Sequence, residues 1–145
     1  MTINDQCYVI RAPCAQPDIP VGRWTQTSVS YDLQKKQRVF LKDSWRVVHK
    51  DIILEGDIYA TLQLHGVRNV PHCLNCGDVG DETYHTTQTC EFTGYTHKKR
   101  ESKIITHRHY HLVLDTVGQE LWKFKRSKDM VRAIHASLIG KYIIC

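Results

Sequence analysis

VFLKDSWR, residues 39–46, closes an apolar run with a lysine and follows it with an acid, a hydroxyl, an indole and a guanidinium. The wider segment RVFLKDSWRVV is rich in β-branched and aromatic residues, and TSVSYDL precedes it across the polar break QKK, so an antiparallel hairpin is expected there. Strand periodicity then puts Phe40 and Lys42 on one face of the sheet and Val39 and Leu41 on the other. A lysine on a packing face needs a partner.

The following segment, His49 to Leu64, has a helical pattern in which Val48, Ile52, Ile58, Tyr59 and Leu62 fall on one side at an advance of about 100° per residue. Gly66 stops it. Gly56 inside the helix costs about 1 kcal/mol relative to alanine, so packing rather than propensity must hold it. Glu55 lies within the apolar stripe, where an ionised carboxylate is costly unless it meets a positive charge, and Lys42 is the nearest candidate in the chain. The plainer alternative has Glu55 reaching water at the helix edge and Lys42 as an ordinary strand-end charge.

A length of 145 residues with 41% hydrophobic content suits one domain with a modest core. The net charge of +5, from 20 Lys+Arg against 15 Asp+Glu, is mild and dispersed. Its densest knot, HKKR from His97 to Arg100, has no aromatic platform beside it and reads as a solvated loop, which argues against a nucleic-acid partner. The opening MTINDQCYVIRAP has no basic leader running into an apolar core, and no apolar run approaches the roughly 18 residues of a membrane span. The expectation is an intracellular chain, cytoplasmic or nuclear, with no membrane partner and with its six cysteines (7, 14, 73, 76, 90 and 145) as reduced thiols.

Residues 1–20, with Pro13, Pro17 and Pro20, read as an irregular lead-in holding at most a short strand near Cys7 to Arg11. VRNVP and LNCGDV suggest a short strand interrupted by Pro71, and residues 80–103 a long surface loop or loose hairpin. HYHLVLDTV is a buried strand, QELWKF a turn of helix, and Ser127 the N-cap of a helix with the stripe Met130, Val131, Ile134, Leu138 and Tyr142.

Several of these stretches carry a resemblance. Gly22 and Val29 in VGRWTQTSV stand at the interval of the first glycine and the valine in the kinase loop G-x-G-x-x-G-x-V, with Trp24 and Thr27 in place of the second and third glycines. VGRWT, VFLKDSWR, EGDIYATLQLHGVRNVP, CGDV, HRHYHLVLDTVG and SKDMVRAIHASLIGKY, in that order, resemble the fungal-type protein kinase family over roughly residues 20–142. The resemblance implies an α+β fold: a kinase-like N-lobe, a twisted antiparallel sheet with one helix, over residues 21–118, then the first one or two helices of the C-lobe over 119–145.

It also implies ATP with Mg as the cofactor. Gly22 would belong to the loop over the phosphates, with Val29 beyond it, and Phe40 would stand where most kinases carry an alanine above adenine. Lys42 would contact the α- and β-phosphates, Glu55 would position Lys42, Leu114 would be the gatekeeper, and Asp115 to Val117 the adenine-binding hinge. Tyr59 would join the apolar column linking the lobes.

A kinase also needs a catalytic-loop Asp, an Asn beside it and a metal-binding Asp, all beyond the helix after the hinge, and the sequence stops at Cys145 before any such segment. The expected function is that of a truncated fungal-type protein kinase domain, the ATP-binding lobe of a Ser/Thr-type phosphotransferase without activity as this chain, with a missing C-lobe or another protein as partner. A non-catalytic docking module or gene remnant is the alternative. A zinc module is a third reading, because Cys73 and Cys76, with His72 before and His85, Cys90 and His97 after, supply ligands that zinc accepts. Their irregular spacing favours idle thiols on a strand and loop. His107, His109 and His111 alternate on one strand face, a geometry able to bind metal, and read here as partly exposed sheet residues. Hydrolase chemistry has no support, since no nucleophile stands beside a His-Asp arrangement.

Overall fold

The structure, a computed structural model, describes residues 1–14, 24–80, 85–88, 91 and 105–141. It is an α+β fold with six strands and two helices: β1 (Thr2–Ile3), β2 (Gln6–Ile10), β3 (Thr25–Asp32), β4 (Gln37–Val47), α1 (Glu55–Leu64), β5 (Cys73–Asp78), β6 (His107–Leu114) and α2 (Ser127–Lys141). The strands form one antiparallel sheet in the order β1-β2-β3-β4-β6-β5. VFLKDSWR lies in β4, near the middle of the sheet.

The expected hairpin of β3 and β4 is present, with Asp32 paired to Gln37 and Thr25 to Ser44. Asp32 is fully buried at its closed end, where Oδ1 accepts the backbone N–H groups of Gln34 and Lys35 and Oδ2 accepts from Gln6. This local carboxylate bonding is what fixes a four-residue connection that has no Asn-Gly.

The sheet buries both faces unequally. Val39, Leu41 and Val113 turn to an inner face, where they join Ile3, Tyr8 and the partly buried Leu74. Tyr110, Leu112 and Leu114 turn to the outer face with Phe40, Tyr59, Cys73 and Cys76. The sheet curls until its two end strands meet through side chains: Asn75 donates to the Ile3 carbonyl at 2.9 Å, and Asn4 donates to the Cys76 carbonyl at 3.2 Å and to the Asn75 side chain at 2.8 Å.

Four local outcomes differ from the sequence reading. The short strand expected near Cys7 to Arg11 is β2, but the lead-in also holds β1, joined to it by the two-residue turn Asn4-Asp5 with φ of 46° and 64°, the doubly left-handed turn that matches strand twist. Helix α1 starts at Glu55 instead of near His49, because residues 52–54 are not helical and Leu54 is extended at its N-cap. Its expected stripe is also not the buried one: Val48, Ile52 and Ile58 are exposed, and the buried residue of α1 is Gly56. The stop at Gly66 is as expected: φ is +64°, Gly66 N–H donates to the Gln63 carbonyl and Val67 N–H to that of Leu62, a Schellman closure. Ser127 is the first residue of α2 rather than its cap, and Tyr142 lies outside the described residues.

Candidate functional site

Helix α1 has no side-chain cap at Leu54; the Tyr110 hydroxyl, rising from β6, accepts the Gly56 N–H at 3.0 Å. Burial, and then a hydrogen bond with Cys76, keeps that phenol above its ordinary pKa, so it stays protonated in this seat. Gly56 permits the approach. A Cβ there would overlap Cys76 Sγ and stand 2.7 Å from the Tyr110 oxygen, so only a residue without a side chain lets the helix lie this close to β5 and β6. The mid-helix glycine that looked like a propensity penalty is the docking point.

Docked in this way, the first turn of α1 brings Glu55 over β4. Lys42 Nζ donates to Glu55 Oε2 at 2.6 Å and to Oε1 at 2.9 Å, and the side chains remain 27% and 37% exposed. The pair is therefore fixed in position yet open to solvent. Beside it lies a cleft of about 430 Å³ whose walls include Lys42, Ser44, Arg46, Ile52, Glu55 and Tyr110. Arg46 is gripped by Asp78 through Nε and Nη2, both at 2.6 Å, and Arg108 Nε approaches the same carboxylate at 3.3 Å.

On the other side of Lys42 the register sets Val29, Phe40 and Leu114 in one row across β3, β4 and β6. None of the three lines the cleft. Phe40 is half-buried against the Tyr110, Leu112 and Leu114 cluster, together with Tyr59. Just past β6, Asp115 N–H donates to the His72 carbonyl and Asp115 Oδ1 accepts from His72 N–H, both at 3.0 Å, and Val117 follows half-buried. Gly22 lies outside the described residues. Of the residues expected at a nucleotide site, Val29, Phe40, Lys42 and Leu114 fall on one face of the sheet, with Lys42 between the apolar row and the cleft.

The zinc set is not assembled in the same way. Cys73 and Cys76 lie on the α1 side, where burial first, and then Cys76, pushes the Cys73 thiol up to about 12. Among the described residues no third ligand joins them. His85 stacks on His109 on the opposite face, and Cys90 and His97 lie outside the described residues. His111, expected to be partly exposed, is buried.

No family model, curated protein or solved structure matches the chain. Among the described residues no helix is long and apolar enough to cross a membrane. Sequence reasoning missed Tyr110 as the seat of α1, since the two partners are 54 positions apart. A tyrosine on the same strand face as Leu112 was the available signal.

Proposed function

We propose that this chain is a nucleotide-holding lobe of kinase type, as its resemblance to the fungal-type protein kinases implies. The observation that carries the reading is the Lys42–Glu55 pair: a lysine on a central strand, held by a glutamate from the next helix, at contacts of 2.6 and 2.9 Å. That pairing is a recurrent device for holding the α- and β-phosphates of ATP in protein kinases. Glu55 keeps the ammonium in one place, and its partial exposure leaves Lys42 free to meet phosphate oxygens. The row Val29, Phe40 and Leu114 would take the adenine ring, with the backbone of Asp115 to Val117 at its edge. Phe40 narrows that space relative to an alanine. Mg-ATP would bring its own metal charge to the phosphates. Transfer further requires a catalytic-loop Asp and Asn and a metal-binding Asp; the function proposed for the residues named here is binding.

Thermal or chemical denaturation with Mg-ATP tests it. Ligand at about 100 times its dissociation constant stabilises a binder by roughly 2.7 kcal/mol. The expected result is a shift in the parent chain that Lys42→Met loses. No shift at millimolar Mg-ATP would remove the reading.

A docking role is a second reading, favoured by α2, whose Val131, Ile134 and Leu138 are 60%, 44% and 49% exposed along one helix. A C-lobe or other protein would cover them. A monodisperse monomer with a sharp cooperative melt would count against this role.

A further inference from the structure

Strand alternation sends Asp43 to the face opposite Lys42, and the pairing of β4 with β6 sets Asp43 against His111 and Trp45 against His109. One ligand atom from each of Asp43, His109 and His111 lies within 4.8 Å of the other two. His109 Nε2 contacts Asp43 Oδ1, and His111 Nε2 is 3.8 Å from that same oxygen. The two imidazoles meet edge to face with centroids 4.8 Å apart.

A second observation concerns His111 alone. Its side chain is 5% exposed, and Nε2 is buried without a hydrogen-bond partner among the described residues. Buried ring nitrogens in folded proteins are nearly always bonded, so an orphan aimed at a carboxylate and a second imidazole calls for a missing partner. The geometry points to a divalent transition-metal site, zinc by donor class, held by Asp43, His109 and His111 on the inner face of the sheet.

Two imidazoles and one carboxylate form a ligand set zinc accepts, and iron(II) shares it. Tetrahedral zinc with bonds of roughly 2.0–2.1 Å sets its ligand atoms about 3.4 Å apart. The 3.8 Å separation of His111 Nε2 and Asp43 Oδ1 lies close to that value, and the tighter His109–Asp43 contact would have to open further to admit an ion. Asp43 is 24% exposed, which leaves an ion a route in from solvent. The rings are also held from outside: Trp45 stacks on His109 at 5.1 Å and His85 at 5.7 Å. Gly80, at φ +61°, lets His85 lie there, because a Cβ would overlap the imidazole. These two stacks restrict the orientation of the His109 ring. A fourth position remains for water. The site stands apart from Lys42 and from Cys73 and Cys76, all on the other face, and does not depend on the nucleotide reading.

The whole chain, freed of metal by chelator and dialysis, is titrated with Zn²⁺ in competition with a chromophoric chelator. One equivalent is expected to bind, with only nitrogen and oxygen in the first shell by X-ray absorption, and equally in a Cys73→Ser, Cys76→Ser variant. Asp43→Asn and His111→Gln should each weaken binding by about ten-fold or more. Should His111→Gln fail to fold, the near-isosteric and partly exposed Asp43→Asn decides. Fewer than about 0.2 equivalents bound, sulfur in the first shell, or parent-like affinity in Asp43→Asn would each overturn the site.

Discussion

Lys42 and Asp43 are consecutive residues that end up in unlike places. Lys42 points to the outer face, where its partner arrives on the next helix. Asp43 points to the inner face, where its partners His109 and His111 are delivered by the β4–β6 ladder. The first cluster depends on how one helix is seated; the second depends on strand register, which a one-residue slip would destroy by turning every side chain over. Neighbouring charges in a sequence therefore inform little about a shared site when they sit on a strand.

The sharpest way to separate the two clusters is pH. Burial lowers the His111 pKa to about 4, with Asp43 opposing the shift and His109 and His85 adding to it. Because the folded value lies below the ordinary one near 6.5, the unfolded chain takes up the proton first. The stability due to neutral His111 is complete above about pH 6.5 and is lost as pH falls toward about 4. Urea denaturation of chelator-treated protein should show a loss of about 2 to 3 kcal/mol across that window. The same series on His111→Gln should be nearly flat; an equally steep slope would detach the effect from the inner cluster.

Gly56→Ala probes the outer cluster. Overpacking against Cys76 and Tyr110 costs about 1 to 3 kcal/mol, and the helix propensity of alanine returns about 1. A net loss of about 0 to 2 kcal/mol is expected in chemical denaturation and, on the proposed nucleotide role, weaker binding as Glu55 moves from Lys42. A stabilised variant would mean that α1 is not seated on that glycine.

The smallest effect belongs to the ion pair itself. Lys42→Met should change stability by less than about 1 kcal/mol, because both partners are partly exposed and water screens them. A larger loss in denaturation would make the pair a structural strut and leave its exposure to ligand without consequence.

The hairpin of β3 and β4 and the end of α1 at Gly66 were legible in the sequence from local rules, alternation and a left-handed glycine, whereas the Lys42–Glu55 pair was one of two alternatives, reached from an apolar stripe that is not the buried one. The start of α1 was not legible. Val48 and Ile52 happen to continue the helical period upstream, although both lie outside the helix. β1 was missed because two residues carry no period, while Asn4-Asp5, a pair suited to the tightest hairpin turn, was the cue. The burial of His111 could not be read from three alternating histidines. Whether such a face is wet or dry depends on strands far away in sequence closing over it.

That closure has a bearing on how the molecule behaves among its own copies. β1 and β5 are the outermost strands, and an outermost strand normally presents free carbonyls on which another chain can build. Here Asn4 donates to the outward-facing Cys76 carbonyl of β5, and Asn75 reaches back to the Ile3 carbonyl of β1, so each margin is held against the other. Two asparagines thus guard the sheet against growing into a larger one.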